Sequence, residues 1–211
     1  MTGLTIVEHP LVQHKLALLR DKSTTKKDFR ALVGELTVFL MVAATCDLEL
    51  NDVTVETPLM PCACRQLVRP DPYIFQILRA GQGMMDAALS MIPTARIGAS
   101  GIYRNEETLE AVSYFHKPQK ITGPCDVFVV DPMLATAHTA TKAITDIKNS
   151  ADECLHIRML AIIAAPEGVA ALQAAHPDVE IFTCALDQQL NEKGYILPGL
   201  GDAGDRLFGT L

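Results

Sequence analysis

The chain has 211 residues, of which 49% are hydrophobic and 5% aromatic, and its formal net charge is −7. A single domain of this length can bury roughly 70% of its unfolded surface. The acidic balance and the lack of a Lys/Arg stripe argue against a nucleic-acid partner, whose phosphates need a basic surface. A core of small aliphatic residues is typical of helices packed on a parallel sheet.

The six cysteines are scattered and contain no C-x-x-C pair. Neither a zinc site nor a disulfide framework is therefore expected, and reduced thiols fit best. The longest apolar stretches, residues 39–44 and 160–165, are far shorter than the roughly 20 residues that span a bilayer. No secretory leader is recognisable, so we expect a cytoplasmic protein without a membrane partner.

Two helices are predicted in residues 1–50, the helical N-terminal arm. Apolar residues recur at helical spacing in two blocks, Val12/Leu16/Leu19 and Leu32/Leu36/Phe39/Leu40/Ala43. A polar break between the blocks offers Ser23 or Thr24 as N-cap of the second helix. The wide apolar face of that helix is expected to pack on a sheet or on a second subunit. The basic cluster nearby is interpreted as a solvated helix face, with a subunit or anionic-effector contact as the alternative: Lys22, Lys26, Lys27 and Arg30.

Residues 52–71 alternate weakly and are rich in proline, which predicts strand, loop and connection without placing them. Residues 73–78 are a predicted buried strand that ends at Arg79, after which glycines open a helix running to Leu89. Two short strands, residues 96–104 and 111–115, flank a polar segment and predict a protruding hairpin.

From residue 127 onward, strands and helices alternate. The predicted elements are strand 127–130, helix 139–148, strand 157–164, helix 166–175 and strand 180–184. Such alternation builds a mostly parallel sheet flanked by helices. The predicted fold class is therefore α/β, with one domain over residues 1–211.

The segment 129–140 has the layout of a phosphate site. A β-branched run ends at Asp131 and is followed by small and hydroxylated residues that open a helix. A strand-end carboxylate can accept from sugar hydroxyls, while N–H groups at the helix N-terminus hold a phosphate. Taken alone, Asp131 is better explained as a cap of the following turn. The remaining motifs favour a ligand role.

Four segments together resemble the uracil phosphoribosyltransferases, a family of type I phosphoribosyltransferases. They are residues 76–84, 101–109, 129–140 and 191–210, and their order and spacing match the family over nearly the whole chain. The resemblance implies a type I phosphoribosyltransferase fold with a protruding β-hairpin at residues 101–116 and a base-binding hood at residues 186–211. It implies transfer of the phosphoribosyl group of phosphoribosyl diphosphate (PRPP) to uracil, giving UMP and pyrophosphate in pyrimidine salvage.

The same resemblance implies roles in PRPP binding. Asp131 would accept from the ribose hydroxyls, and Arg79 would contact the pyrophosphate through its bidentate fork. Arg104 would be a second pyrophosphate contact at the foot of a closing hairpin. Either arginine taken alone is better explained as a surface side chain. The turn at Arg79 is a candidate for a non-proline cis peptide bond. The loop after Asp131 would hold the 5′-phosphate, with the residues Pro132, Met133, Leu134, Ala135, Thr136, Ala137, His138 and Thr139.

In the tail, a proline and three glycines between residues 196 and 205 are expected to prevent regular structure and to expose backbone groups to a planar ligand. The resemblance implies that backbone groups of Ile196, Gly201 and Ala203 match uracil, whereas cytosine would leave buried groups unpaired. Asp202 would lie between the base and the pyrophosphate, although a Gly-Asp pair alone predicts only a turn.

One departure from the family supports an alternative function. Where relatives usually have two glycines, this chain has Ala137 and His138, and a Cβ at a position of positive φ costs about 1–2 kcal/mol. Weakened or retuned PRPP binding is expected, with His138 able to donate to a phosphate. The alternative is a homologue with little or no turnover that senses PRPP or a pyrimidine nucleotide. A second rival, an enzyme for another base, is disfavoured by the retained Gly201-Asp202-Ala203.

The expected cofactor is Mg²⁺, carried mainly by the pyrophosphate and waters with at most one or two protein carboxylates. No dedicated metal site in the protein is therefore expected. GTP activates some relatives and is a candidate effector here. The apolar face of the second helix and the protruding hairpin predict a homodimer or a higher homo-oligomer.

Overall fold

The computed structural model describes residues 3–104, 111–116, 120–153 and 155–210, without the side chains of residues 102–104 and 111–116. No helix in these ranges is long and apolar enough to span a membrane. In chain order the elements are β1 (Leu4–Ile6), α1 (Pro10–Arg20), α2 (Lys26–Ala44), β2 (Leu50–Glu56), β3 (Pro61–Leu67), β4 (Tyr73–Leu78), α3 (Gln82–Met91), β5 (Arg96–Arg104), β6 (Ala111–His116), β7 (Cys125–Val130), β8 (Met133–Leu134), α4 (His138–Asn149), β9 (Leu155–Ala164), α5 (Pro166–Ala175), β10 (Glu180–Leu186), β11 (Gln189–Leu190), β12 (Ile196–Leu197) and α6 (Ala203–Phe208).

The central sheet runs in the order β1-β10-β9-β7-β4-β5-β6, with β8 beside β9. Its pairs are parallel except for β5 and β6, which form the predicted hairpin. The tip of that hairpin, residues 105–110, lies outside the described residues. Because α1, α2 and α3 cover one face and α4 and α5 the other, β7 is buried along its whole length. This arrangement confirms the predicted α/β class.

The predicted N-cap of α2 is wrong. The cap is Thr25, whose Oγ1 accepts from the backbone N–H of Asp28 at 3.2 Å. Ser23 and Thr24 belong to the preceding turn, where the hydroxyl of Thr24 donates to a carbonyl of α1 at 2.5 Å. The cap therefore lies one residue beyond the predicted pair, directly before the first helical residue.

The apolar face of α2 packs on the sheet of its own chain. Leu32, Leu36 and Leu40 are buried in the core that α2 shares with α3 and β9. Packing on the sheet was one of the two expectations for this face. A second subunit therefore cannot be inferred from it, and the argument for an oligomer has to rest on another surface.

Residues 50–67, which the sequence did not place, form an antiparallel hairpin of β2 and β3 outside the central sheet. An ion network ties its base to the amino end of β7. Arg69 donates to Glu49 at 2.8 Å and to Asp126 at 2.9 Å, and Arg158 binds the other carboxylate oxygen of Asp126 at 2.9 Å. Burial raises the pKa of Asp126, but hydrogen bonds from Arg69 and Arg158 outweigh it, so the pKa is lowered overall.

Candidate functional site

The candidate site lies at the carboxyl edge of the sheet, where β4 and β7 are neighbours. From this pair the connections diverge, since β5 lies on the far side of β4 and β9 on the far side of β7. Such a switch point opens a crevice outside the strand ends, where ligands of open α/β sheets bind. Arg79 follows β4 and Asp131 follows β7, so both lie at this crevice.

The turn between β4 and α3 brings the backbone close to the crevice. The Leu78–Arg79 peptide bond is cis, as the resemblance indicated. A Cβ at Gly81 would lie 2.5 Å from the carbonyl oxygen of Val130, so glycine is required at this turn. The Arg79 guanidinium lies 5.8 Å from the ring centre of Phe208 and remains exposed. This contact places the guanidinium beside the C-terminal tail.

Asp131 is partly buried at the end of β7. Among the described residues its carboxylate accepts one long hydrogen bond, from the backbone N–H of Met133 at 3.4 Å. Burial raises the pKa of this carboxyl to about 7, and the charge of Asp202 adds to the rise, while the Met133 N–H partly offsets it. A carboxylate so poorly satisfied by its own protein is suited to accept from the hydroxyls of a sugar.

The loop after β8 enters α4 through a residue in the left-handed region. Ala137 has a φ of 63°, and it is the only non-glycine residue of the described chain with a positive φ. As N-cap of α4 it offers no side chain to the first N–H groups of the helix, which therefore remain donors for an anion. His138 is already helical. Of the two positions where the sequence was expected to depart from the family, only Ala137 thus adopts a conformation that favours glycine.

Helix α5 supports this loop from behind. The backbone N–H of Ala165, the N-cap of α5, donates to the carbonyl of Leu134 at 2.9 Å. A Cβ at Gly168 would lie 2.8 Å from the same carbonyl oxygen and would collide with that of Ala135. The close approach of helix and loop therefore depends on glycine at this position.

The C-terminal tail continues from the β11–β12 pair through a tight turn into α6. Gly199 and Gly201 have φ values of 63° and 80°. Asp202 is the N-cap of α6, and its side chain accepts from a backbone N–H three residues later at 2.9 Å. The expectation of no regular structure between residues 196 and 205 is therefore wrong, because this carboxylate starts a helix inside that segment.

These parts line one cavity of about 300 Å³. Eight of the predicted site residues contribute to its wall: Arg79, Asp131, Met133, Ala135, Ile196, Gly201, Asp202 and Ala203. The prediction missed four others, Ala80, Gly194, Tyr195 and Gly204. Tyr195 precedes Ile196 directly, and this adjacency was the available signal for an aromatic ring beside a planar ligand.

Six predicted residues of the phosphate loop are not part of that wall: Pro132, Leu134, Thr136, Ala137, His138 and Thr139. Two of them serve the body of the protein. Leu134 is buried, and the carbonyl of Pro132 accepts from two N–H groups of β9 at 3.1 Å each. The side chain of Arg104 lies outside the described residues, so its contact with pyrophosphate stays a prediction.

Asp131 and Asp202 are the two carboxylates of the cavity wall. Within the described residues, no group of three His, Cys, Asp or Glu side chains could hold a metal ion. The charge of Asp202 adds to the rise in the pKa of Asp131, so it is unfavourable for both carboxyl groups to be ionised together. A cation that arrives on a phosphorylated ligand would relieve this repulsion, so the wall fits Mg²⁺ delivered with pyrophosphate.

The family model and the curated relatives agree on one family. The uracil phosphoribosyltransferase family model matches residues 6–210. Uracil phosphoribosyltransferases of Lactococcus lactis and Clostridium botulinum are 49% identical over 210 residues, covering 100% of both chains in each case. A solved structure from Aquifex aeolicus has a TM-score of 0.89 at 37% identity, with 98% of each chain covered. A Thermus thermophilus structure shares the fold, with a TM-score of 0.51, 14% identity and coverage of 84% of this chain and 96% of its own.

Proposed function

The chain belongs to the uracil phosphoribosyltransferase family, and we propose that the cavity at the β4–β7 switch point is where it performs the reaction of that family. The enzyme transfers the phosphoribosyl group of PRPP to uracil and releases UMP and pyrophosphate. This assignment rests on one observation, that Arg79, Asp131 and residues 194–196 and 201–204 of the tail line the same cavity.

PRPP would lie across the carboxyl ends of β4 and β7. Its ribose hydroxyls donate to Asp131, whose carboxylate accepts one long hydrogen bond from the described residues. The 5′-phosphate is held by N–H groups of residues 135–140 at the start of α4, with the hydroxyls of Thr136 and Thr139 as further donors. The pyrophosphate is bound by Arg79 and by Arg104 from the hairpin.

Uracil would lie against the tail. Its two carbonyl groups and its N–H match backbone groups of Ile196, Gly201 and Ala203, while Tyr195 supplies an aromatic surface. Cytosine carries an amino group where uracil carries a carbonyl, so it leaves a buried donor of the site unpaired. This mismatch is the physical basis expected for selectivity.

The reaction requires positioning and charge neutralisation more than acid–base chemistry. N1 of uracil forms a bond to the anomeric carbon as the bond from that carbon to pyrophosphate breaks, through an oxocarbenium-like state, and the N1 proton passes to water or to the departing pyrophosphate. Arg79 and Arg104 neutralise charge that develops on the leaving group, and Asp131 fixes the ribose between base and pyrophosphate. Bound Mg²⁺ supplies further neutralisation of the pyrophosphate. The wall needs no nucleophilic side chain for this chemistry.

The interpretation as a sensor without turnover finds no support among the relatives, which carry the names of enzymes. The sensor hypothesis was based on the pair Ala137 and His138. Only Ala137 adopts a positive φ, and the first N–H groups of α4 have no side-chain cap. We therefore propose that the protein is an active enzyme and not a sensor.

Two further features remain proposals. A homodimer or higher homo-oligomer is inferred from exposed apolar side chains on the β2–β3 hairpin. The proposed binding site for GTP as an effector is a second cavity of about 450 Å³, whose wall includes Lys22 and Lys26. This cavity shares Gly201 and Asp202 with the first. A cytoplasmic location suits an enzyme that salvages a free base.

The decisive experiment assays purified protein with Mg²⁺ and PRPP against uracil, cytosine, hypoxanthine and adenine, measuring nucleotide and pyrophosphate formed. We expect UMP from uracil and little product from the other bases. Equal turnover of cytosine, or a preference for hypoxanthine, would overturn the assignment of the tail as a uracil site. Product formation without PRPP would overturn the reaction itself.

A further inference from the structure

An ion pair between Arg20 and Asp187, neither of which lines the cavity of the candidate site, binds the tail at Gly199. Asp187 follows β10 and is 9% exposed. Its Oδ2 accepts from the backbone N–H of Gly199 at 2.9 Å, and both its oxygens are bound by Arg20, at 2.8 and 2.5 Å. The same guanidinium donates to the carbonyl oxygen of Gly199 at 2.7 Å. Both polar backbone groups of Gly199 are thus bound by this one pair.

The pair joins three distant parts of the chain. Arg20 is the last residue of α1, and the backbone N–H of Asp187 donates to the end of β9 at 2.8 Å. Arg206 of α6 adds a parallel contact, since its Nη1 donates to the carbonyls of Leu200 and Leu19 at 2.8 and 2.7 Å. The tail turn is therefore fixed against α1 and the sheet by charged groups.

The turn needs such support because of its backbone conformation. Gly199 has a φ of 63°, and a Cβ there would collide with the carbonyl of Ile196. Charge-assisted hydrogen bonds are among the stronger polar contacts, and Arg and Asp here bind in the bidentate geometry that fixes orientation. The carbonyls of Gly199 and Leu200 are bound by Arg20 and Arg206, whereas Gly201 and Ala203 line the cavity.

We propose that Arg20 and Asp187 are positioning residues that set the shape of the base-binding segment, and with it the affinity and selectivity for uracil. The inference rests on the proposed function, in which residues 196–203 bind the base. Neither side chain lines the cavity of the candidate site, so both act through Gly199. The binding of PRPP, at the other end of the cavity, should depend on them much less.

The test measures kcat and KM for uracil and for PRPP in Arg20→Ala, Arg20→Lys and Asp187→Asn, together with thermal unfolding. Lys15→Ala is the matched control, since it removes an ion pair of α1 with Glu35 at 2.6 Å that does not touch the tail. We expect KM for uracil to rise about 10- to 100-fold in Arg20→Ala and Asp187→Asn, the range for lost hydrogen bonds to charged groups. KM for PRPP should change less than about threefold, as in the control.

Arg20→Lys keeps the charge but not the fork, so it should recover part of the lost uracil affinity. Turnover of cytosine relative to uracil should rise in all three variants. If the parent makes no UMP, the proposed function fails. If the parent makes UMP and the variants keep its KM for uracil, the positioning role alone is overturned. A parallel rise in both KM values with a lowered Tm would also overturn it, because the pair would then be purely structural.

Discussion

The protonation of Asp131 couples the site to the stability of the protein. Burial raises the pKa of this carboxyl from 3.8 to about 7. The folded state therefore holds the proton more tightly than the unfolded state. The stability from this group is full below the unfolded pKa and is lost as the pH rises through the folded pKa. Near neutral pH, ionisation of this carboxyl therefore lowers the stability of the folded protein. Such a cost is typical of groups at binding sites.

We predict that Asp131→Asn raises the free energy of unfolding at pH 8 and leaves it nearly unchanged close to pH 4. Urea denaturation over that pH range measures the difference. Asp178→Asn is a control for which the expected change in stability has the opposite sign, because a hydrogen bond from Lys148 lowers the pKa of Asp178. That variant should lose stability at pH 8 and approach the parent as the pH falls through the lowered pKa. An Asp131→Asn protein less stable than the parent at pH 8 would contradict the prediction.

The positive φ of Ala137 gives a second prediction for a single residue. A Cβ in this region costs about 1–2 kcal/mol, whereas glycine adds about 0.4–1 kcal/mol of unfolded-state entropy. Because the left-handed conformation of Ala137 belongs to the folded chain, the relief should appear as a gain in stability. We expect Ala137→Gly to raise the free energy of unfolding by up to about 1 kcal/mol in urea denaturation.

His138→Gly is the matched control for that variant. Its backbone is already helical, so glycine there should destabilise by up to about 1 kcal/mol. If both glycine variants lose stability, the left-handed residue is not strained. The departure from the family at this position would then be neutral for the loop.

At the scale of elements, α5 and the phosphate loop form one unit. The Cβ introduced by Gly168→Ala would meet the carbonyls of Leu134 and Ala135, and neither can move without shifting the loop. We expect a loss of about 1–3 kcal/mol in stability, as for other overpacked sites. A raised KM for PRPP with little change in KM for uracil should accompany it. Steady-state kinetics and urea denaturation measure the two effects.

Gly34→Ala is the matched helical glycine. Its Cβ would lie 3.7 Å from that of Ala87, an ordinary contact, so a gain of about 0.5–1 kcal/mol is expected from helix propensity. A Gly168→Ala protein that behaves like Gly34→Ala would show that α5 does not fix the loop.

Local periodicity predicted the βαβ part of the fold well. The predicted strand at residues 73–78 coincides with β4, and α5 has the predicted bounds of 166–175. The β2–β3 hairpin was not placed, because its anchor is an ion pair between Arg69 and Asp126, 57 residues apart. No local pattern reveals such a contact.

In the candidate site, too, residues in local motifs were predicted and residues joined only by distant contacts were not. Arg79 and Asp131 were predicted because the motifs around them resemble those of the family, and both residues line one cavity at the switch point. Arg20 and Asp187 were missed because 167 residues separate them and neither belongs to a motif. Residues proposed to contact ligands thus lie in local motifs, whereas those proposed to support them are brought together only by tertiary packing.

At the scale of the whole molecule, the β2–β3 hairpin is the surface that we expect to form a subunit interface. Two-stranded hairpins are only marginally stable alone in water. This one carries Leu59 and Met60 at its turn, 94% and 68% exposed, with Leu50 and Val68 also exposed near its base. Large apolar side chains grouped on one projecting element are typical of an interface. A second copy of the chain would bury them and hold the hairpin in place.

We predict that the protein sediments as a dimer or larger oligomer at micromolar concentration. Leu59→Glu with Met60→Glu should weaken association by at least about 100-fold, because burial of each apolar side chain contributes about 1.5–3 kcal/mol. Leu11→Glu, a similar change at an exposed leucine of α1, is the control and should leave the oligomer intact. A parent that remains a monomer at micromolar concentration would contradict the oligomer. If the control and the hairpin variant dissociate the oligomer equally, the hairpin is not the interface, because added charge alone would then explain the effect.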